Sequence, residues 1–187
     1  MTDDLWPIAP HGGSLVNLLA TGAQRDTLVE EAANLPKLTI NERELSDLEM
    51  LAIGALSPLT GFQTEADYRS ILETMHLTDG LAWAIPVVLG VGDEHLHRIS
   101  AASSIALTGA NDAPPLAILR VSERFARDKH EEALSVYRTD DLEHPGVKAL
   151  YDAGDTCIAG SLEVIALPDH EDFVNYRLTP EIGRAHV

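Results

Sequence analysis

Four short stretches set reactive side chains close enough to act together. In Pro10-His11-Gly12-Gly13, a His-Gly-Gly turn can aim backbone N–H groups at an anion, as an oxyanion hole does. That chemistry also needs a G-x-S-x-G nucleophile turn, which the sequence lacks, so a tight turn is the plainer reading. His95-Leu96-His97 would put both imidazoles on one face if the segment were a strand, a spacing that suits a metal ion. Only Asp93 or Glu94 offers a third ligand nearby, which favours surface histidines in a polar loop. Asp128-Lys129-His130-Glu131 gathers acid, base and imidazole, but a helix cap already uses Asp128 and Glu131. Asp140, Asp141, Glu143 and His144 could bind a cation, but a solvated turn before a Pro-initiated helix is the plainer account.

Nucleotide signatures are missing. There is no GxxxxGK[ST], and Gly90-Val91-Gly92 is read as having no helix opening behind it. From residues alone, no catalytic, cofactor-binding or metal-binding set emerges.

Charge narrows the partners. Thirteen Lys and Arg stand against 30 Asp and Glu, a formal charge of -17. Such a surface repels phosphate backbones and anionic lipids, so neither nucleic acid nor membrane is expected as a partner. Aromatics are 5% of the chain and the basic residues are scattered, unlike an RNA-reading face. Cys157 is the only cysteine, which rules out an intrachain disulfide and fits a reducing compartment. The N-terminus is acidic and has no apolar core of a signal peptide. The longest apolar run, residues 81–91, is broken by Pro86 and falls short of the roughly 18 residues of a membrane span. A soluble, cytoplasmic protein is expected.

The elements that must position these residues follow from periodicity. Residues 26–34 predict a helical turn or two with Leu28, Ala32 and Leu35 on one side, and residues 36–40 a short strand. Asn41 and Glu44 form a capping-box pattern ahead of Leu45, Leu48, Leu51 and Ala52. Gly54 ends that helix, and a loop with Pro58 and Gly61 turns Leu56, Leu59 and Phe62 inward. Thr64 opens a second helix with the stripe Tyr68, Ile71, Leu72, Met75. Strands are expected at residues 83–91, 104–107, 116–121 and 156–167, the first as an edge or bulged strand because of Pro86. Asn111-Asp112 with Pro114-Pro115 reads as a hairpin connection. A helix capped by Asp128 turns Ala133, Leu134 and Tyr137 inward, and His144-Pro145 starts another. The fold class is α+β, a curled, mostly antiparallel sheet or barrel with inserted and flanking helices.

Residues 44–62, ELSDLEMLAIGALSPLTGF, resemble the N-terminal domain of the sulfate adenylyltransferase family. The resemblance extends in order through PHGGSLVN at 10–17, DYRSILETMHLTDGLAW at 67–83, IPVVL at 85–89, HPGV at 144–147 and YRLTP at 176–180. The chain departs from the family pattern at Leu18, where Arg is common, at Gln63, where Met is usual, and at Arg138, where Gly is usual. Residues 168–180 are acidic and polar and read as a linker. The resemblance implies a PUA-like domain over residues 1–167, with 168–181 as the linker toward a catalytic domain of the same polypeptide. It implies that the parent joins ATP and sulfate into adenosine 5'-phosphosulfate and pyrophosphate with Mg2+, as a homo-oligomer. The family's QxRNPxHxxH-type motif is not in this sequence, and His186 echoes it only superficially, so no catalytic residue carries over. Residues 182–187, IGRAHV, match a sequencing-adapter read-through and are expected to be a non-native tail. The alternative is a free-standing PUA-like RNA-binding module, which the charge disfavours.

Overall fold

A computed structural model describes the backbone of residues 9–111 and 113–185, with side chains to residue 182 apart from residue 112. The expectations placed on residues 1–8, Asp112 and His186 lie outside the described residues. The chain forms α1 (Gly22–Ala32), β1 (Lys37–Thr39), α2 (Glu42–Ala52), β2 (Gly61–Phe62), α3 (Glu65–Thr74), β3 (Leu89–Val91) and α4 (Asp93–Ile99). There follow β4 (Ser104–Thr108), β5 (Pro115–Ala126), α5 (Lys129–Glu132) running into a π-turn (Ala133–Tyr137), α6 (Pro145–Asp152), β6 (Thr156–Val164) and α7 (Pro180–Ala185). The sheet is six-stranded in the order β1-β4-β5-β6-β2, with β3 also on β6, and is open. β2 and β3 pair antiparallel with β6, whereas β1 runs parallel to β4.

The chain divides into two compact units, and β4, β5 and β6 contribute residues to both. The first comprises Met1–Thr60, Ala106–Leu119 and Leu162–Val187. Its core gathers Ala20, Leu28, Ala32, Ala106, Ile118 and Ile165, with Leu35 packed against them. α2 starts as its sequence dictates: Asn41 Oδ1 accepts from the N–H groups of Arg43 and Glu44, and Glu44 returns a carboxylate oxygen to the Asn41 N–H. Leu48, Leu51 and Ala52 bury its inner face, and Leu45 is half-buried. Beyond it the apolar loop is tied down. Ser57 Oγ donates to Gly54 O at 2.6 Å and accepts from Val16 N at 2.9 Å. Gly54 has φ +81°, and a Cβ there would stand 2.4 Å from Val16 O, so only glycine fits.

The second unit comprises Gly61–Ile105 and Arg120–Ser161. Tyr68, Leu72, Val88, Phe125, Cys157 and Ala159 form one cluster, with the Tyr68 and Phe125 rings 5.4 Å apart. Ala133, Val147 and Leu150 form a second, against Tyr137. α3 is capped by Thr64 Oγ1, and Glu123 places a carboxylate oxygen 2.6 Å from the Glu65 N–H, an anion at a helix N-terminus.

Several expectations are corrected here. The strand expected over 83–91 is confined to Leu89–Val91. Ahead of it Gln63 pairs with Val87 twice, Gln63 N to Val87 O at 3.0 Å and Val87 N to Gln63 Oε1 at 2.6 Å, so a side chain replaces ladder bonds next to Pro86. The strand expected over 116–121 continues to Ala126. Met75 is exposed because it takes the left-handed C-terminal position of α3. Leu134 is exposed too: the π-turn widens the helix and rotates that position off the inward face.

At Gly160 a Cβ would stand 2.0 Å from Arg120 O, and a Cβ at Gly61 would stand 2.0 Å from Gly160 O. Asn41→Ala is expected to lower unfolding stability by about 1 kcal/mol. Gly160→Ala should lower it by about 3 kcal/mol or more, since backbone rather than a flexible side chain must move. Urea titration of both variants checks the order; equal losses would contradict it.

Candidate functional site

The four chemistry-capable stretches go to structural uses. Gly13 N donates to Pro10 O at 2.8 Å, closing the His-Gly-Gly stretch into a tight turn. That turn packs on the apolar loop: a Cβ at Gly12 would stand 2.7 Å from Pro58 Cγ. His95 and His97 lie on α4, not on a strand, so a two-residue step turns them to different sides. The helix forms because Gly92 is its N-cap and Asp93 and Glu94 fill its first turn, with His97 and Arg98 in the last.

Gly90-Val91-Gly92 is therefore followed by a helix opening after all, in strand-turn-helix order. The Glu94 carboxylate folds back over Gly92, where a Cβ would stand 2.5 Å from Glu94 Oε2. A carboxylate in that position opposes phosphate binding.

Asp128 Oδ1 accepts from Glu131 N at 2.9 Å as the helix cap. Lys129 Nζ donates to Ala153 O at 2.5 Å and Tyr151 O at 3.1 Å and pairs with Asp155. His130 is exposed, 3.8 Å from the Asp140 carboxylate. His144 Nδ1 caps α6 by accepting from Val147 N. Among the described residues, no group of three or more His, Cys, Asp or Glu is arranged to hold a metal ion.

The polar centre that sequence reasoning missed lies beside that stretch. Arg127 and Glu132 form a two-pronged pair, Nε to Oε2 at 2.8 Å and Nη2 to Oε1 at 2.7 Å, with side chains 7% and 4% exposed. Burial lowers the Arg127 pKa, but the hydrogen bonds and charge of Glu132 outweigh it, and the guanidinium ends above its usual value. Burial first, and the Glu132 carboxylate second, push the Tyr68 hydroxyl up; it donates to Asp128 O at 3.1 Å. Burial also pushes the Cys157 thiol up to about 12, the state of an inert rather than a nucleophilic cysteine. One signal could have found the pair. An acid at the step before inward-facing Ala133 requires a cation, and Arg127 immediately precedes the cap.

Other cations are also committed to the chain itself. Arg124 Nη2 donates to Ile99 O and Ala102 O, at 2.7 and 2.6 Å, closing the end of α4. Arg25 Nε donates to Ile165 O at 3.0 Å beside a cavity of about 530 Å³ in the first unit. Val29, Leu45, Leu116 and Leu167 line that cavity, with Arg25 and Asp169 as its charged groups. It can hold an apolar body but sets no nucleophile beside a base.

The PUA-like domain family model matches residues 8–167. Sulfate adenylyltransferase of Synechococcus sp. (strain JA-3-3Ab) is 45% identical over 95% of this chain and 45% of its own length. That of Trichodesmium erythraeum is 40% identical over 98% of this chain and 47% of its own. A solved structure described as hexameric APS kinase from Thiobacillus denitrificans is 34% identical, with a TM-score of 0.73 over 95% of this chain and 31% of that one. The chain thus spans under half the length of the curated relatives it matches.

Removing one partner of the buried pair leaves a charge without compensation. Arg127→Met is expected to destabilise by about 3–5 kcal/mol, and the double variant Arg127→Met/Glu132→Leu by less than the single one. A double-mutant cycle by urea unfolding checks this; a double variant worse than the single would refute it. Cys157 should resist a thiol reagent at pH 8 in the folded protein and react once unfolded.

Proposed function

The chain belongs to the PUA-like domain family, and from that premise we propose that it is the N-terminal, non-catalytic part of a sulfate adenylyltransferase. One observation carries the reading. Relatives bearing that name match nearly all of this chain while it accounts for under half of theirs. A polypeptide of that kind would convert ATP and sulfate to adenosine 5'-phosphosulfate and pyrophosphate.

Electrostatics supports placing that chemistry in the remainder. A site for two anionic substrates needs free cations or helix N-termini aimed at them. Here Arg124, Arg127 and Lys129 are bound to the chain's own carbonyls and carboxylates, in a chain of charge -17. In this reading Mg2+, with ATP and sulfate, belongs to the remainder. The part described here is then a scaffold against which the catalytic part is built.

We further place the whole polypeptide in the cytoplasm, consistent with a lone, buried, unbridged Cys157. No helix among the described residues is long and apolar enough to cross a membrane. We read the whole polypeptide as a homo-oligomer; the solved neighbour is described as hexameric.

The 187-residue chain alone is expected to show no sulfate-dependent pyrophosphate release above background. Release that rises with sulfate would overturn its assignment as non-catalytic. Genomic sequence downstream of codon 181 should continue into a QxRNPxHxxH-type motif; an unrelated continuation would remove the reading altogether.

A further inference from the structure

Beside Arg25 the first unit holds a cavity of about 530 Å³, within the roughly 300–1,000 Å³ of small-molecule sites. Leu45, Leu116 and Leu167 line it and are each only half-buried, and Val29 beside them is 43% exposed. Aliphatic surface left in that state favours an apolar body that displaces the water over it.

Two opposite charges stand over this lining. Arg25 and Asp169 both line the cavity and both are exposed, which places them at its mouth. Arg25 Nε donates to Ile165 O at 3.0 Å, which fixes the guanidinium and leaves both Nη groups without a partner among the described residues. Asp169 has no hydrogen bond or ion pair among them either, so the two charges are not joined to each other. The backbone of Asp169 is held on both sides. Pro168 restricts one, and on the other His170 Nε2 lies 2.8 Å from Glu49 Oε1 of α2. A cation and an anion held apart, each with hydrogen-bonding capacity to spare, match a ligand that carries the complementary pair.

We propose that this cavity binds an α-amino acid with an apolar side chain, taken as the zwitterion. Its carboxylate meets the Arg25 Nη groups, its ammonium meets the Asp169 carboxylate, and its side chain lies among Val29, Leu45, Leu116 and Leu167. Charge chooses between ligands. A simple carboxylate would suit Arg25 but face Asp169 and a chain of charge -17. A simple amine would suit Asp169 but set its charge against the guanidinium. A zwitterion satisfies both at no net charge. ATP and sulfate, both multiply charged anions, do not meet these requirements, so the site is separate from the reaction proposed above.

The test is titration of the 187-residue chain with L-phenylalanine and L-leucine, read from backbone amide chemical shifts. Saturable binding is expected, with shifts centred on Val29, Leu45 and Leu167. N-acetyl-L-phenylalanine lacks the ammonium, and L-phenylalaninamide, protonated below neutral pH, lacks the carboxylate. Each should bind about tenfold or more weakly than L-phenylalanine. Two variants assign the charges. Asp169→Asn should erase the preference over the N-acetyl compound and keep the preference over the amide; Arg25→Gln should do the reverse. A residue acting only on stability would shift all three phenylalanine ligands together. Absence of saturable binding by either amino acid would overturn the proposal, as would shifts centred elsewhere or equal affinity for the three phenylalanine ligands. Preferences that survive both variants would overturn it too.

Discussion

The architecture depends on one close approach of backbones. At Gly160 the carbonyl of Arg120 on β5 occupies the space a Cβ would need, and the Gly160 carbonyl in turn fills the space beside Gly61 on β2. β6 pairs with β2 and β3 and lies next to β5, so this is where its neighbours converge. A side chain at either glycine would force strands apart along a line from which most of the sheet is organised. β2 has only two residues, Gly61 and Phe62, registered to Ser161 and Gly160. Its pairing therefore has no second turn of hydrogen bonds to fall back on. The position of α3, which starts at Glu65 directly behind Phe62, is set by that short pairing.

Around this sheet the polar groups are spent on closure. Asp67 accepts from Thr78 N and Oγ1, at 2.9 and 2.7 Å, and so ties the start of α3 to the turn after it. Arg124 holds the end of α4, and Lys129 holds the end of α6. The Arg127–Glu132 pair spans five residues across the start of α5. Each of these contacts is local to one element boundary. A catalytic centre needs the opposite arrangement, with groups from several elements converging on a space that is left for a substrate. The cavity in the first unit has walls that are mostly aliphatic.

What was legible in the sequence was what local chemistry decides. The capping box at Asn41 and Glu44, the Thr64 and Asp128 caps and the His144-Pro145 start all formed where residue type predicted. The stripes Leu28/Ala32 and Tyr68/Ile71/Leu72 are buried as their spacing requires. The misses share a cause: in each, a tertiary or widened geometry displaced the regular period. Leu134 obeys the α-helical stripe and is exposed, because the turn from Ala133 to Tyr137 is a π-turn. Residues 83–88 are apolar enough for a strand, yet Gln63 supplies a side-chain oxygen in place of a ladder bond. α4 has weak apolar periodicity over seven residues, so only its charge order, acids first and His97-Arg98 last, could have disclosed it. Arg127 becomes legible as the partner of Glu132 only once the helix face that carries Ala133 is taken as buried and Glu132 with it.

The stretches that carry the family resemblance are, in the fold, places where backbone meets backbone or ring. Pro10-His11-Gly12-Gly13 and the loop around Pro58 are more than forty residues apart in sequence, yet Gly12 lies against the Pro58 ring and Val16 N donates to Ser57 Oγ. Gly54 lies under the Val16 carbonyl at the same junction. A Cβ at either glycine would collide with its neighbour, so steric fit alone restricts the residues that these positions accept. A fingerprint can arise from steric exclusion as readily as from chemistry. Here His11 neighbours the glycine that permits a close approach, and the anion cradle its motif suggests closes instead as a tight turn, Gly13 N on Pro10 O. The stretches that made the family readable are thus, at this junction, ones whose packing is demanding.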